Sequence, residues 1–159
     1  MNSGIQFNKE RFDASDEKAK VATKKLFAVL EPSWTLIDNP NKYGVDFIAY
    51  SNGNLVCYIE VELSNNGFEK GRFKYDRIRL LPRKDHFLDG LDTNGEKLKA
   101  PIYLCTISSD CKSAIIYEMA TMKKNSIKVK SVNNVPLAGR IMEEMNSLST
   151  NFCSEFYIN

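Results

Sequence analysis

The sequence has few of the side chains on which common enzyme and metal-site signatures depend. It contains one histidine, His86, and its four cysteines form no Cys-x-x-Cys pair, so the spacing of a zinc site is absent. A Ser-His-acid triad would have to use His86, which follows Lys84 and Asp85 in a polar stretch. The phosphate-binding loop, the dinucleotide-binding glycine motif, the nucleophile elbow and His-Glu-x-x-His are also missing. The usual nucleotide-binding, hydrolase and zinc-protease classes therefore have no support in the sequence.

Long hydrophobic runs and a strong net charge are absent as well. No apolar run is long enough to cross a bilayer, and no signal-peptide segment follows Met1, so we expect a cytoplasmic protein with no membrane partner. The formal net charge of +2 is too small to indicate nucleic-acid binding by itself. With 43% hydrophobic and 26% charged residues, the 159-residue chain fits one globular domain, residues 1–159. We interpret the cysteines as reduced thiols: Cys57, Cys105, Cys111 and Cys153.

Residues 43–63 contain the most informative pattern. Two runs rich in β-branched and aromatic side chains flank the sequence Ser-Asn-Gly-Asn, which predicts a β-hairpin. Asp46 lies near the start of the first predicted strand, and Glu60 and Glu62 lie two residues apart in the second, so both glutamates share one face. Three converging carboxylates repel one another unless a cation neutralises them, and Mg²⁺ prefers hard oxygen ligands.

These three acids resemble the motif of the PD-(D/E)xK nuclease superfamily, in which an Asp opens one strand and an acid-x-Lys pair follows on its hairpin partner. Glu62 stands where the motif has lysine, as in some restriction endonucleases, and Gly44 and Val45 precede Asp46 in place of the motif proline. The resemblance covers residues 13–107. It implies a restriction-endonuclease-like core in which a helix precedes a three-strand meander. The predicted fold class is α/β (α+β), a mixed β-sheet with flanking helices.

The resemblance implies a metal-dependent nuclease that hydrolyses phosphodiester bonds of DNA, or of RNA. Asp46 and Glu60 would bind Mg²⁺ or Mn²⁺, and Glu62 would act as a general base or as a further ligand. In this superfamily a helical acid often reaches the metal, and Glu17 best matches that position, with helix-dipole stabilisation as its alternative. Three other interpretations stay open: a hairpin with solvent-exposed glutamates, a non-catalytic nuclease-fold protein that binds nucleic acid or a protein partner, and a structural domain whose acids do nothing.

Residues 70–84 are the most basic part of the chain and include several aromatic side chains. Residues 77–80 alternate basic and apolar side chains, which favours a strand with both arginines on one face, although a short helix over residues 73–81 also fits. The Pro82-Arg83-Lys84 sequence also resembles some phage and bacterial members of the superfamily. A solvated basic face is the alternative to phosphate contact. We predict nucleic acid as the partner, DNA rather than RNA, with these candidate contacts: Lys74, Arg77, Arg79, Arg83 and Lys84.

The remaining pattern predicts the elements around the hairpin. An irregular arm over residues 1–12 precedes a helix that Asp13 or Ser15 caps and that Glu31 and Pro32 end. Strands are predicted at residues 34–37, 102–107, 113–119 and 126–132, and a second helix at residues 137–148. Residues 152–158 form either an edge strand or a packed segment. The sequence leaves open the strandedness of the substrate, endo- or exonuclease action and whether the protein forms a homodimer.

Overall fold

The computed structural model describes residues 9–41, 44–135 and 139–159. A 22-residue helix begins the described chain and is followed by eleven strands, a short second helix and two 3₁₀ helices. The elements are α1 (Lys9–Leu30), β1 (Trp34–Asp38), β2 (Phe47–Ser51), β3 (Asn54–Ser64), β4 (Phe68–Glu69), β5 (Arg72–Phe73), β6 (Arg77–Leu80), a 3₁₀ helix (Pro82–Asp89), β7 (Ile102–Ser108), β8 (Ser113–Glu118), α2 (Met119–Asn125), β9 (Ile127–Val135), β10 (Gly139–Ser149), a second 3₁₀ helix (Thr150–Phe152) and β11 (Ser154–Tyr157).

The main sheet has six strands in the order β1-β2-β3-β7-β8-β11. Its β3–β7 pair is parallel, and its other neighbours are antiparallel, so the sheet is mixed and the fold is α+β. The order of a helix followed by an antiparallel meander, α1 and then β1-β2-β3, matches the predicted order. A further two-stranded ribbon pairs β4 with β5. Among the described helices, none is long and apolar enough to span a membrane.

The predicted hairpin is confirmed as β2 and β3. Asn52 and Gly53 form its two-residue turn with φ angles of 53° and 80°, the left-handed conformation that such tight turns require and that Asn and Gly adopt most easily. The register shifts by one residue between Ala49 and Tyr50, and beyond that shift Ala49 pairs with Cys57 and Phe47 with Ile59. The bulge keeps the apolar residues of both strands on one face. Tyr43, at the start of the predicted hairpin, lies outside the described residues.

Each face of the main sheet carries its own hydrophobic core. On one face, α1 buries Ala19, Ala22 and Leu26 against the sheet. On the other face, Phe87 of the first 3₁₀ helix and Met122 of α2 join a second core. Strand β3 contributes a buried residue to the first core at every second position, through Cys57, Ile59 and Val61. The residues between them therefore point toward the second face.

Two of the predicted elements differ from the structure. Helix α1 already includes residues 9–12, which were predicted as part of an irregular arm, whereas residues 1–8 of that arm lie outside the described residues. The predicted late helix over residues 137–148 is instead strand β10, which pairs with β9 from Gly139 to Ser147 and with β6 from Asn146 to Ser149. The helical spacing was misleading because Ile141 and Met145 are four residues apart, a distance that also places two residues on one face of a strand. Residues 137 and 138 lie outside the described residues.

Candidate active site

Glu60 and Glu62 lie on the face of β3 that points away from α1. Lys84, in the 3₁₀ helix that covers this face, contacts both: its Nζ is 3.5 Å from Glu60 Oε1 and 3.7 Å from Glu62 Oε1. The Lys84 side chain is 11% exposed and that of Glu60 is 14% exposed, so the three charges meet in a largely buried position. The sequence lacks a lysine at the third motif position, but the fold brings a lysine from another element to the same pair of acids.

Asp46 lies one residue before β2, at the point where the β2–β3 ladder ends. Its Oδ2 accepts a 2.8 Å hydrogen bond from the Val61 backbone N–H, so the carboxylate continues the ladder in place of a backbone carbonyl. The Asp46 carbonyl accepts a 3.0 Å hydrogen bond from the Asn39 N–H. The remaining oxygen, Oδ1, is 3.8 Å from Lys20 Nζ of α1. Backbone N–H groups of Val61 and Asn39 therefore fix Asp46, and the Lys20 side chain links it to α1.

The pKa values of both Glu60 and Asp46 are raised. Burial raises the pKa of Glu60 to about 7, and the charges of Asp46 and Glu62 raise it as well, while Lys84 opposes the increase. Burial also raises the pKa of Asp46, against the lowering effects of the Val61 hydrogen bond and of Lys20. The charge of Asp46 therefore acts on Glu60.

Three buried polar atoms without a partner belong to residues on the sheet face that carries these acids: Glu60, Thr106 and Tyr117. Four buried side-chain atoms in the described chain have no hydrogen-bond partner: Glu60 Oε2, His86 Nε2, Thr106 Oγ1 and Tyr117 Oη. Thr106 pairs directly with Glu62 across the β3–β7 ladder, and the alternation of β7 and β8 places Thr106 and Tyr117 on the face that carries the glutamates. Burial, and then the charge of Glu62, raises the pKa of Tyr117. Since buried polar groups normally have hydrogen-bond partners, these atoms are exceptions within the described chain.

Helix α1 contributes a different acid from the one predicted. Glu17 is exposed and lines a separate groove between α1 and residues 110–112, so the structure does not bring it to the other acids. Asp16 is the helical acid whose charge raises the pKa of Asp46. It lies one helical turn before Lys20 and shares its face. The sequence-based prediction chose Glu17, one residue after Asp16. One residue corresponds to a rotation of about 100° around the helix axis.

The predicted basic residues separate into three environments. Residues Arg77–Leu80 form strand β6, as the alternation predicted, with Ile78 and Leu80 buried. Arg77 donates hydrogen bonds of 2.8 and 2.9 Å to the hydroxyl and carbonyl oxygens of Ser147, which holds β6 against β10. Lys84 is in the acidic group described above. The other three are exposed: Lys74, whose Nζ lies 5.2 Å from the centre of the Tyr75 ring, Arg79 and Arg83.

Two carboxylates, Asp46 and Glu60, are the candidates for holding a hard divalent cation at this site. Within residues 9–41, 44–135 and 139–159, no three His, Cys, Asp or Glu side chains are grouped so that they could hold a metal ion. Mg²⁺ commonly uses only one or two protein carboxylates and completes its shell with water and phosphate oxygens. Asp46 Oδ1, at 3.8 Å from Lys20, and the unpaired Glu60 Oε2 are the two oxygens available for such a role. Glu62 is instead held by Lys84.

Sequence reasoning missed four residues of this site: Asp16, Lys20, Thr106 and Tyr117. The four-residue spacing of Asp16 and Lys20 was visible in the sequence, but the side of α1 that meets Asp46 depends on packing. The position of Thr106 beside Glu62 depends on the parallel register of β3 and β7, which pairs residues 44 positions apart in the chain. No protein-family model matches this chain, and no curated protein or solved structure matches it.

Proposed function

We propose that the protein is a metal-dependent nuclease that hydrolyses phosphodiester bonds of DNA, with RNA as the alternative substrate. In this proposal it is a variant of the PD-(D/E)xK type in which Lys84 supplies the positive charge that the motif lysine would provide. The observation that carries the proposal is the position of the Lys84 amine, 3.5 Å from Glu60 and 3.7 Å from Glu62. The charge of Asp46 also raises the pKa of Glu60. An acid pair on a solvated strand face would have no need of a buried lysine from another element.

Asp46 and Glu60 are the residues that would hold Mg²⁺ or Mn²⁺. When bound, the cation would lower the pKa of a bound water and polarise the scissile phosphate. Two features of the chain suit cation binding. The Val61 N–H holds the Asp46 carboxylate in place, and Glu60 Oε2 has no hydrogen-bond partner. Glu60 must lose its proton before it can bind a cation, so a pKa of about 7 makes cation binding stronger as the pH rises above neutral.

Glu62 acts here as a positioning residue for Lys84. Its carboxylate holds the Lys84 amine close to Glu60 without occupying the second Glu60 oxygen. An ammonium group at this position offers hydrogen-bond donors and positive charge to a phosphate oxygen or to an attacking water. The sequence-based role of Glu62, as a general base or as a further ligand, is replaced in this proposal by the orientation of the lysine.

Substrate contact is proposed for Lys74, Arg79 and Arg83. All three side chains are exposed, and Arg83 directly precedes Lys84 in the 3₁₀ helix, so a backbone phosphate near Lys84 would be within reach of Arg83. Guanidinium groups suit phosphate because they bind two oxygens at once. Arg77 is assigned a structural role because Ser147 already accepts two of its hydrogen bonds.

A specific observation also favours the non-catalytic alternative. Lys84 and Lys20 already place positive charge beside Glu60, Glu62 and Asp46, so the acids do not require a cation for neutralisation. A nuclease-fold protein that binds nucleic acid or a protein partner could retain the same ion pairs as structural elements. In that case, binding would occur without cleavage and would not respond to divalent cations.

The test is a cleavage assay on single- and double-stranded DNA and RNA, with Mg²⁺, with Mn²⁺ and with chelator. Wild-type protein should cleave at least one substrate in a metal-dependent manner. Asp46→Asn and Lys84→Met should each lower the rate by about 100-fold or more, because they remove a ligand charge and the ammonium group respectively. Glu69→Gln, which neutralises an exposed acid on β4, is the matched control and should leave the rate unchanged.

Two outcomes would contradict the proposal. Cleavage that persists in chelator and in Asp46→Asn would show that this site is not responsible. Nucleic-acid binding by wild-type protein with no cleavage of any substrate in either metal would support the non-catalytic alternative.

A further inference from the structure

We propose that a cavity on the α1 face of the main sheet binds a small organic cation with an alkylated ammonium group. The cavity has a volume of about 370 Å³ and lies where the end of α1 meets the start of β1 and strands β7, β8 and β11. Most of its lining belongs to the face opposite to Glu60 and Glu62, with Tyr117 as an exception. No residue proposed to hold the metal ion or to contact the substrate lines this cavity, so the inference does not depend on the proposed nuclease activity. Six aromatic residues line it: Phe27, Trp34, Tyr103, Tyr117, Phe152 and Phe156.

Two of the aromatic rings that line the cavity pack against each other. Phe27 and Trp34 stack with ring centres 5.9 Å apart and an angle of 13° between their planes, and Phe27 is buried. Phe152 is 50% exposed, which places it where solvent can enter. Tyr103 and Phe156 are partly buried against the same core. The faces of aromatic rings carry partial negative charge, so a set of rings around one space attracts a cation that has an apolar surface.

Three sources of negative potential act on this cavity. Glu31 and Glu118 both line it, and both carboxylates raise the pKa of Tyr103 in addition to the effect of burial, so they act on the same ring. Helix α1 ends at Leu30 beside the cavity and has no basic residue in its last turn, so the negative end of its dipole is uncompensated. Among the described residues that line the cavity, none is Lys, Arg or His.

This combination selects an organic cation over the other small ligands. The lining is mostly aromatic and apolar, and aromatic rings supply no hard oxygen donors to a metal ion. A neutral aromatic molecule would not need two carboxylates and a helix C-terminus, and an anion would be repelled by them. An alkylated ammonium spreads one charge over methyl groups, so it can contact the rings while it balances Glu31 and Glu118.

The single tryptophan gives a direct signal for this site, because Trp34 is one of the cavity walls. Its fluorescence would be titrated with choline and with tetramethylammonium at constant ionic strength. The matched ligand control is the neutral isostere of choline, in which carbon replaces the nitrogen. We expect saturable changes for both cations and an affinity about tenfold lower for the isostere, since it loses the charge but keeps the shape. Calorimetry of the same titrations gives a second readout that is independent of the tryptophan.

Three variants locate the binding site. Glu31→Gln combined with Glu118→Gln should weaken choline binding by about tenfold while keeping the shape of both side chains. Phe152→Ala should weaken it by removing one exposed wall, and Glu69→Gln on β4 should have no effect. Melting temperatures confirm that each variant is folded. Equal affinity for choline and its isostere, an unchanged affinity in the double variant, or no saturable response by either readout would each overturn the proposal.

Discussion

The two faces of strand β3 differ sharply in composition although they belong to consecutive residues. Ile59 and Val61 point toward α1 and are buried among apolar side chains. Glu60 and Glu62 point to the other face, where they meet Lys84 and leave one buried oxygen unpaired. Both sets are largely withdrawn from water, so burial alone does not distinguish them. The difference lies in polarity: one set stabilises the fold by leaving water, whereas the other loses hydration and is only partly compensated.

The comparison of the two faces identifies Glu60 as a residue whose burial costs free energy. A buried carboxyl group whose pKa is raised to about 7 is one that the fold destabilises in its charged form. Apolar core residues such as Ile59 carry no such cost, whereas strongly shifted pKa values are common among the residues of functional sites. We therefore expect truncation on the apolar face to lower stability and removal of the Glu60 charge to raise it, and the following predictions begin with the largest expected effect.

Truncation on the apolar face should be the most damaging change. Ile59→Ala removes three carbon atoms from a fully buried position between α1 and the sheet. We expect a loss of about 2 to 5 kcal/mol in the free energy of unfolding, measured by urea denaturation. The matched change on the other face, Glu62→Gln, should cost less than about 1 kcal/mol, because it keeps volume and a polar contact to Lys84. Equal losses for the two variants would contradict the contrast between the faces.

Removal of Lys84 should have the next largest effect. Lys84→Met leaves Glu60 and Glu62 facing each other without a positive partner, which should lower stability by about 2 kcal/mol at pH 8. The loss should shrink when Glu60→Gln and Glu62→Gln are added, because the unpaired charges are then gone. Lys112→Met, at an exposed position, is the control. A loss that the added glutamines do not reduce would mean that Lys84 stabilises the fold by packing rather than by its charge.

The pH dependence of stability should identify Glu60. Its pKa rises from an ordinary value of 4.5 to about 7, so between these values the folded protein holds a proton that the unfolded chain has lost. Stability from this proton is complete below pH 4.5, falls as the pH rises toward 7 and is absent above that window. Glu60→Gln should flatten this decrease and raise the melting temperature at pH 8 by a few degrees, roughly 2 to 4 °C per kcal/mol. An identical slope in wild type and variant would show that Glu60 titrates normally.

The smallest effect is expected for the exposed basic residues. Lys74→Ala and Arg83→Ala should each reduce the log-log salt dependence of nucleic-acid binding by about one unit, because each would remove one phosphate contact. Arg77→Ala should instead lower thermal stability through the loss of its two hydrogen bonds to Ser147, with little change in the salt slope. Fluorescence anisotropy at several salt concentrations separates the two classes. A reduced slope for Arg77→Ala and an unchanged slope for Arg83→Ala would reverse the assignment.

Local patterns predicted the elements that carry most of the candidate site. The Asn52-Gly53 turn and the alternation of β3 were sufficient to place Glu60 and Glu62 on one face. The partner of these acids could not be chosen, because five basic residues between positions 74 and 84 were equivalent in the sequence. Only the packing of the 3₁₀ helix against the second face separates Lys84 from Arg77 and Arg83.

Non-local pairing explains the parts that the sequence did not predict. Strand β10 has spacing that suits a helix, but nine paired positions with β9 and four with β6 determine its conformation. Glu17 and Asp16 differ by one position on α1, and the choice between them depends on how the helix is rotated over the sheet. Both are questions of tertiary contact, which local propensity does not contain.

The most direct test of the central claim is a calorimetric titration of Mn²⁺ into wild-type protein, Asp46→Asn, Glu60→Gln and the control Glu69→Gln at pH 6 and pH 8. If Asp46 and Glu60 hold a divalent cation, wild type and Glu69→Gln should bind one Mn²⁺, more tightly at pH 8 because Glu60 is then ionised, and both site variants should lose at least about tenfold in affinity. Binding that is equal in all four proteins, or absent from wild type at both pH values, would contradict the assignment of a metal site to these acids.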